Sequence, residues 1–88
     1  MSPVFQFEIV TLNGKPYSGK VKSLMVSGAK GYFGVLANHA AFISRCLPGK
    51  LKITEEAGHE VFYKTGEGFF EVVKNRAVLL INSAEKTA

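Results

Sequence analysis

The run Val61-Phe62-Tyr63-Lys64-Thr65-Gly66-Glu67-Gly68-Phe69-Phe70-Glu71-Val72-Val73-Lys74-Asn75-Arg76-Ala77-Val78-Leu79-Leu80-Ile81 sets the architecture of this chain. It is three short apolar segments, rich in β-branched and aromatic residues, cut apart by Gly66-Glu67-Gly68 and by Lys74-Asn75. Such segments, bounded by turn residues and lacking a 3.6-residue period, read as strands. Val61–Thr65 and Phe69–Val73 are predicted to form a hairpin across the two glycines, and Lys74-Asn75 to turn the chain into Ala77–Ile81. That last segment is apolar at every position, so it is predicted to be buried on both faces and to lie centrally. In the pair Phe69-Phe70, one ring belongs to the core. The other needs a neighbouring strand or a partner to cover it.

The preceding sequence follows the same rule. Phe5-Gln6-Phe7-Glu8-Ile9 alternates apolar and polar, the period of a half-buried strand. Asn13-Gly14 signals a tight turn, because both residues tolerate positive φ, and Pro16 disfavours a helix there. Strands are predicted over Tyr17–Ser27 and Phe42–Leu47. Gly28 and Gly31 bound a turn, Pro48-Gly49 ends a strand, and Leu51-Lys52-Ile53 alternates again up to Ala57-Gly58. Turn chemistry at such short intervals predicts an all-β fold: a two-sheet β-sandwich, or flattened barrel, of about ten short strands. Two packed sheets are needed because a single sheet this small would leave its edges and one apolar face bare. The sandwich is assigned to residues 1–82. Residues 83–88 are read as a short tail, helix-permissive but too short to stand as a helix, and dispensable for folding.

Bulk composition narrows the function classes. At 88 residues, 47% hydrophobic and 20% charged, the chain is one small globular domain. Its longest apolar run, Ala77–Ile81, is far short of the roughly 20 residues of a membrane-spanning helix. The start, Met1-Ser2-Pro3-Val4-Phe5, lacks the basic and apolar regions of a signal peptide. One cysteine, Cys46, permits no internal disulfide and fits a reducing compartment. The net charge of +4 raises the question of nucleic acid. The lysines, however, are evenly scattered and arginine is scarce, whereas phosphate-clamping surfaces cluster arginine. Solvated strand faces account better for the charge.

Candidate chemistry is sparse. His39 is the natural first choice for a base, and Cys46 the nearest nucleophile, but the sequence contains no Asp to orient the imidazole. A His bracing backbone groups at a corner is the preferred reading. His59, in Gly58-His59-Glu60, reads as a solvated turn. Two His and one Cys at these spacings are a weak basis for zinc. Gly28-x-x-Gly31-x-x-Gly34 lacks the Lys-Ser/Thr ending of a phosphate loop. No catalytic residue, metal or cofactor is assigned.

One segment points to a particular role: Gly31-Tyr32-Phe33-Gly34-Val35-Leu36-Ala37-Asn38-His39-Ala40, with Gly49 following. Its spacing resembles the N-terminal β-sandwich domain of the ε subunit of F-type ATP synthases. The resemblance runs along the chain. Phe5–Thr11 looks like that family's first strand and Tyr17-Ser18-Gly19-Lys20-Val21 like its second. Pro48-Gly49-Lys50-Leu51-Lys52-Ile53 is similar to its Pro-Gly turn. Gly66-Glu67-Gly68-Phe69-Phe70-Glu71-Val72 is similar to its Gly-Gly-Phe/Ile-x-Glu-Val segment, with Glu67 replacing a small residue, and Asn82-Ser83-Ala84-Glu85 to the exit from the sandwich. Two departures stand out. Tyr32 occupies a position often held by Glu or Asp, and Ala37-Asn38 replaces the usual Pro-Gly. The family usually continues into two C-terminal helices, and the sequence stops where they would begin, so ATP binding and inhibition by that arm are not carried over.

The resemblance implies a non-catalytic rotor subunit that links the γ subunit to the c-ring and couples proton flow to ATP synthesis. It implies a monomer when isolated, peripheral to the cytoplasmic face of a bacterial inner membrane or the equivalent organellar face. It implies ring contact through Gly31, Tyr32, Phe33 and Gly34. It implies γ contact through Thr11, Asn38, His39, Ala41, Phe42, Ser44 and Pro48, with His39 holding the corner beside the Tyr32 loop or facing γ. The alternative, from another class, is a small basic β-barrel binding RNA or single-stranded DNA, with Tyr17, Tyr32, Phe62 and Tyr63 as stacking candidates.

Overall fold

The computed structural model describes residues 3–87; Met1 and Ser2, on which part of the signal-peptide reading falls, and Ala88 of the expected tail lie outside them. The described residues form nine strands: β1 Phe5–Thr11, β2 Gly14–Gly28, β3 Gly31–Leu36, β4 Phe42–Cys46, β5 Gly49–Glu55, β6 Glu60–Thr65, β7 Gly68–Val73, β8 Arg76–Ile81 and β9 Ala84–Thr87. The all-β sandwich expected from the turn spacing is what the chain adopts, with no helical domain among the described residues.

Strand β2 organises the rest. Its first half pairs antiparallel with β1, from Phe5 opposite Val21 to Thr11 opposite Gly14. Its second half pairs with β3 and with β5. The β2–β5 register slips between Val21 and Ser23, leaving Lys22 as an extra residue. Such a bulge bends the strand and increases its twist. One continuous strand therefore serves two layers. The first runs β4–β7–β8–β1–β2, and the second β3–β2–β5–β6–β9. Within the first layer β1 and β8 run parallel, Gln6 opposite Arg76. On the far side the layers meet again at one pairing, Gly28 opposite Cys46. Between those layers, the edges β3 and β4 share no ladder; Phe33 fills the seam, its ring 5.4 Å from Phe42 and 5.5 Å from Phe70, both edge-on.

The core is the inner face of each strand: Phe5, Phe7 and Ile9 of β1, Val21, Leu24 and Val26 of β2, Leu51 and Ile53 of β5, Phe70 and Val72 of β7, and Ala77, Leu79 and Ile81 of β8. At the β2 bend, the Tyr17 hydroxyl donates to the Glu55 carboxylate at 2.6 Å, and the Tyr63 hydroxyl donates to the Pro16 carbonyl at 3.1 Å. These bonds tie β2 to the second layer where the strand changes sheets.

Three expectations need correction. First, β6 and β7 do not form a hairpin. β6 pairs with β5 and β9, whereas β7 pairs with β4 and β8. Gly66–Glu67 carries the chain from one layer to the other, beside a second crossing at Asn82–Ser83. The two are laced by Gly66 N–H to the Ser83 carbonyl (2.9 Å) and Asn82 N–H to the Glu67 carbonyl (3.1 Å). The glycines are there for close approach: a Cβ on Gly68 would stand 1.8 Å from the Leu80 carbonyl oxygen. Second, β8 is central but not buried on both faces. Leu79 is 1% exposed while Leu80 is 52% exposed, because the outer face of the first layer has nothing packed on it. Third, residues 84–87 of the expected tail are β9, antiparallel to β6 from Thr65 opposite Ala84 to Phe62 opposite Thr87. Strand pairing holds that segment, with Ala84 packed against the core.

Gly68→Ala should cost at least about 1–3 kcal/mol by overpacking against backbone. Gly34→Ala, whose Cβ would meet only ordinary contacts at 3.8 Å, should be nearly neutral. Leu79→Ala should cost about 2–5 kcal/mol. Urea midpoints of the three variants check this ordering.

Candidate functional surface

The outer faces of the two layers differ. On the first layer, register aligns Arg45, Phe69 and Leu80 across β4, β7 and β8, with Val10 of β1 next in the row. The neighbouring row carries Ile43, Glu71, Val78 and Glu8. Phe69 is 55% exposed, Ile43 67% and Leu80 52%; Leu12, in the β1–β2 turn at the end of this face, is 98% exposed. Single exposed apolar residues are ordinary, but several gathered on one face mark a contact surface. An ion pair between Arg45 and Glu67 (3.3 Å) rims the patch. The second layer instead presents Lys50, Lys52 and Lys64 among Glu60, Phe62 and Glu85, with the Lys50 ammonium 5.7 Å from the Phe62 ring centre.

A second feature is the β2–β3 turn. Gly31 sits at φ 111, where a side chain would be strained, and it lets the chain reverse directly opposite Gly28. Tyr32 follows at 58% exposure. Its hydroxyl accepts the Lys50 backbone N–H at 3.3 Å, which stands the ring against the start of β5. Gly31 and Gly34 are exposed beside it, whereas Phe33 turns inward against Phe42 and Phe70 and is only partly exposed.

The residues assigned to γ separate into two groups. Asn38, His39, Ala41, Phe42 and Ser44 run from the β3–β4 connection along β4, the His39 and Phe42 rings 5.6 Å apart. Thr11 and Pro48 lie at the other end, with the crossings at Glu67 and Asn82 and the turn after Gly28. His39 is therefore not beside Tyr32. Strand β3 runs the length of the layer between them, and the His39 Nδ1 lies 2.7 Å from the Ala40 carbonyl. The patch formed by Leu12, Ile43, Phe69 and Leu80 is absent from the sequence-based assignment. Its one legible signal is the Phe69-Phe70 pair: Phe70 is core and Phe69 is bare.

Other candidate chemistry comes apart. His39 precedes β4 and Cys46 ends it, so the strand separates them, and burial pushes the Cys46 thiol up to about 11. Burial first, and then Glu55, also hold the Tyr17 and Tyr63 hydroxyls above their ordinary value. Among the described residues no three His, Cys, Asp or Glu side chains are grouped to hold a metal ion. Tyr63 is buried and Tyr17 packs on the core, which takes two of the four proposed base-stacking rings off the surface. No helix among the described residues is long and apolar enough to cross a membrane.

Fold and surface together define a class: a small two-layer β-sandwich domain with an apolar outer face and an exposed aromatic at a turn. The particular family follows from comparison. A sequence model described as "ATP synthase, Delta/Epsilon chain, beta-sandwich domain" matches residues 4–87, and the chain belongs to that family. It is 37% identical over 78 residues to the ATP synthase epsilon chain of Anaeromyxobacter sp. (strain Fw109-5), covering 89% of this chain and 58% of that one. It is 36% identical over 88 residues to the ATP synthase epsilon chain of Desulfosudis oleivorans (strain DSM 6200 / JCM 39069 / Hxd3), covering 98% of this chain and 65% of that one. The chain thus spans less than two thirds of the length of these curated relatives. Its fold superimposes on a chain of the Euglena gracilis mitochondrial ATP synthase (OSCP/F1/c-ring, rotational state 1) with a TM-score of 0.89 at 20% identity, over 98% of this chain and 56% of that one. It also superimposes on a chain of the Tetrahymena thermophila mitochondrial ATP synthase central stalk and c-ring, with a TM-score of 0.76 at 13% identity, over 94% and 66% of the two chains.

Stability should fall at alkaline pH. The folded Cys46 thiol keeps its proton up to about 11, against 9.0 ordinarily, so unfolding releases a proton above pH 9. The contribution is complete below pH 9 and is lost as pH rises through about 11, with Tyr17 and Tyr63 acting in the same direction. Denaturant midpoints at about pH 8 and about pH 10.5 should show the fall, and Cys46→Val should make it shallower.

Proposed function

We propose that this chain is the sandwich domain of a non-catalytic ε subunit in the central stalk of a proton-translocating F-type ATP synthase, where it joins the γ subunit to the c-ring and so couples proton flow to ATP synthesis. The observation that carries this reading is the apolar outer face of the first layer, with Phe69, Leu80 and Ile43 exposed in a domain whose core is otherwise closed. Family membership names the assembly in which such a face would be covered.

In this reading γ covers the β4–β7–β8 face and the adjoining β4 edge, where Asn38, His39, Ala41, Phe42 and Ser44 lie. The ring contact is made by the turn after Gly28, through Gly31, Tyr32 and Gly34, with Phe33 supporting the turn from within. Thr11 and Pro48, at the Tyr32 end, belong to the junction between the two contacts. Tyr32 supplies an apolar ring with a polar tip, suited to a surface that is part wet. The work is mechanical. A coupling element must pass torque without yielding, and two layers sharing the uninterrupted strand β2 resist sliding over each other. The domain sits at the membrane periphery through the complex, on the cytoplasmic face in a bacterium or the equivalent organellar face, and is a monomer when isolated.

Leu80→Lys should weaken binding to purified γ by at least about 30-fold, equivalent to roughly 2 kcal/mol. It should move the urea midpoint of the free domain little, as exposed substitutions do. Tyr32→Ala should likewise spare the fold but loosen attachment to the ring. Cysteines at position 32 and in the polar loop of the c subunit should crosslink in native membranes; crosslinks only from the His39 end would reverse the proposed orientation.

A further inference from the structure

The β3–β4 connection, residues 37–41, belongs to neither ladder, yet it is fastened at one point. Asn38 adopts φ 65, a left-handed conformation that asparagine tolerates better than most residues. Its backbone N–H donates to Asn75 Oδ1 at 2.6 Å, and Asn75 Nδ2 donates back to Asn38 Oδ1 at 3.0 Å. Asn75 is itself left-handed, at φ 60, in the β7–β8 turn, and its carbonyl accepts the Gln6 backbone N–H at 3.0 Å. Asn75 thus fixes a loop of the second layer's edge onto a turn of the first through its side chain, while its backbone carbonyl holds that turn to β1. Immediately beyond the fastened residue come His39, whose ring lies against Phe42, and Ala41.

Resting on the γ-binding reading above, we propose that Asn38 and Asn75 are positioning residues: a clamp that holds the His39–Phe42 corner in the shape the γ subunit binds, without being the main contact themselves. Without the clamp, five residues outside any ladder would sample other conformations, and ordering them on association would oppose binding. The seam between β3 and β4 makes this corner the place where such ordering is needed most, because no backbone ladder crosses it. The clamp spans positions 37 residues apart, so its effect is visible only in the folded domain.

The test uses the full chain and purified γ from the same synthase. Asn75→Gly keeps a residue at ease with positive φ but deletes both bonds. Asn38→Gly keeps the N–H bond and deletes the other. Binding to γ should weaken about tenfold in Asn75→Gly and less in Asn38→Gly, with the double variant no weaker than Asn75→Gly alone. Amide exchange at residues 38–41 of the free chain should accelerate in the same order, while the strands keep their protection. Unchanged exchange in Asn75→Gly would overturn the clamp. Faster exchange with unchanged affinity would overturn its role in binding. Additive losses in the double variant would mean that the two residues act separately, which also overturns it. Failure of the unaltered chain to bind γ would instead overturn the interface reading and the proposal with it, a result distinct from the others because exchange is read without γ. Should Asn75→Gly fail to fold, Asn38→Gly alone carries the same comparison.

Discussion

The structure depends on β2 belonging to both sheets. Fifteen residues run without interruption from a ladder with β1 into ladders with β3 and β5, bending at the bulge on Lys22. The bend brings Val21, paired with both β1 and β5, and Leu24, paired with β3 and β5, into one core. It also places Tyr17 against Glu55, so the polar groups left by the change of layer are satisfied rather than stranded. From that corner the remaining topology follows. β3 and β4 become the two edges that face each other, Phe33 and Phe42 must close the seam between them, and the chain must cross layers again at Gly66–Glu67 and at Asn82–Ser83. The two crossings run side by side, close enough that glycine is required where they meet β8.

Much of this was legible and some of it was not, for physical reasons. Period-two alternation in Phe5–Ile9 and the turn residues at Gly28, Gly31, Lys74 and Asn75 are local signals, and local signals placed most of the strands. Partner choice is a long-range property. Gly66-Glu67-Gly68 suits a hairpin and a layer crossing equally well, and only the pairing of β6 with β9 separates the two. The apolar run Ala77–Ile81 gave a central strand but not its bare face, since Leu80 and Leu79 look alike to any pattern that counts hydrophobicity. Ser83–Ala88 contains nothing that marks a strand; β9 exists because β6 offers it an edge. At the candidate surface, the exposure of Tyr32 accords with its place beside a turn. The Ile43–Phe69–Leu80 patch, assembled from three strands, was hidden from a one-dimensional reading. Family membership rests on motifs in order along the chain, which is the kind of information a sequence does carry.

The division of labour across the molecule is plain from where apolar atoms lie. The inside is complete: Phe7, Ile9, Val21, Val35, Ile53 and Phe70 have no measurable exposure. The outside of the first layer repeats the same residue types without cover. The second layer's outer face is mixed: charged side chains on β5, β6 and β9 lie beside the exposed Met25 of β2 and Leu36 of β3. The most extensive bare apolar surface is thus on the first layer, and the basic balance of the chain is spread rather than focused.

The parallel pairing of β1 with β8 bears on how the chain is made. Gln6 finds its neighbour at Arg76, close to the other end of the sequence. During synthesis, β1 and β2 can join as a hairpin early, but Phe5, Phe7 and Ile9 then wait with no facing layer and one open edge. At about 5–20 residues per second, the wait for β8 lasts several seconds. Long-range closure of this kind also slows folding in free solution. The nascent domain is therefore most open to chaperones and to mispairing until β8 has left the ribosome, and its sandwich can close only once that strand is available.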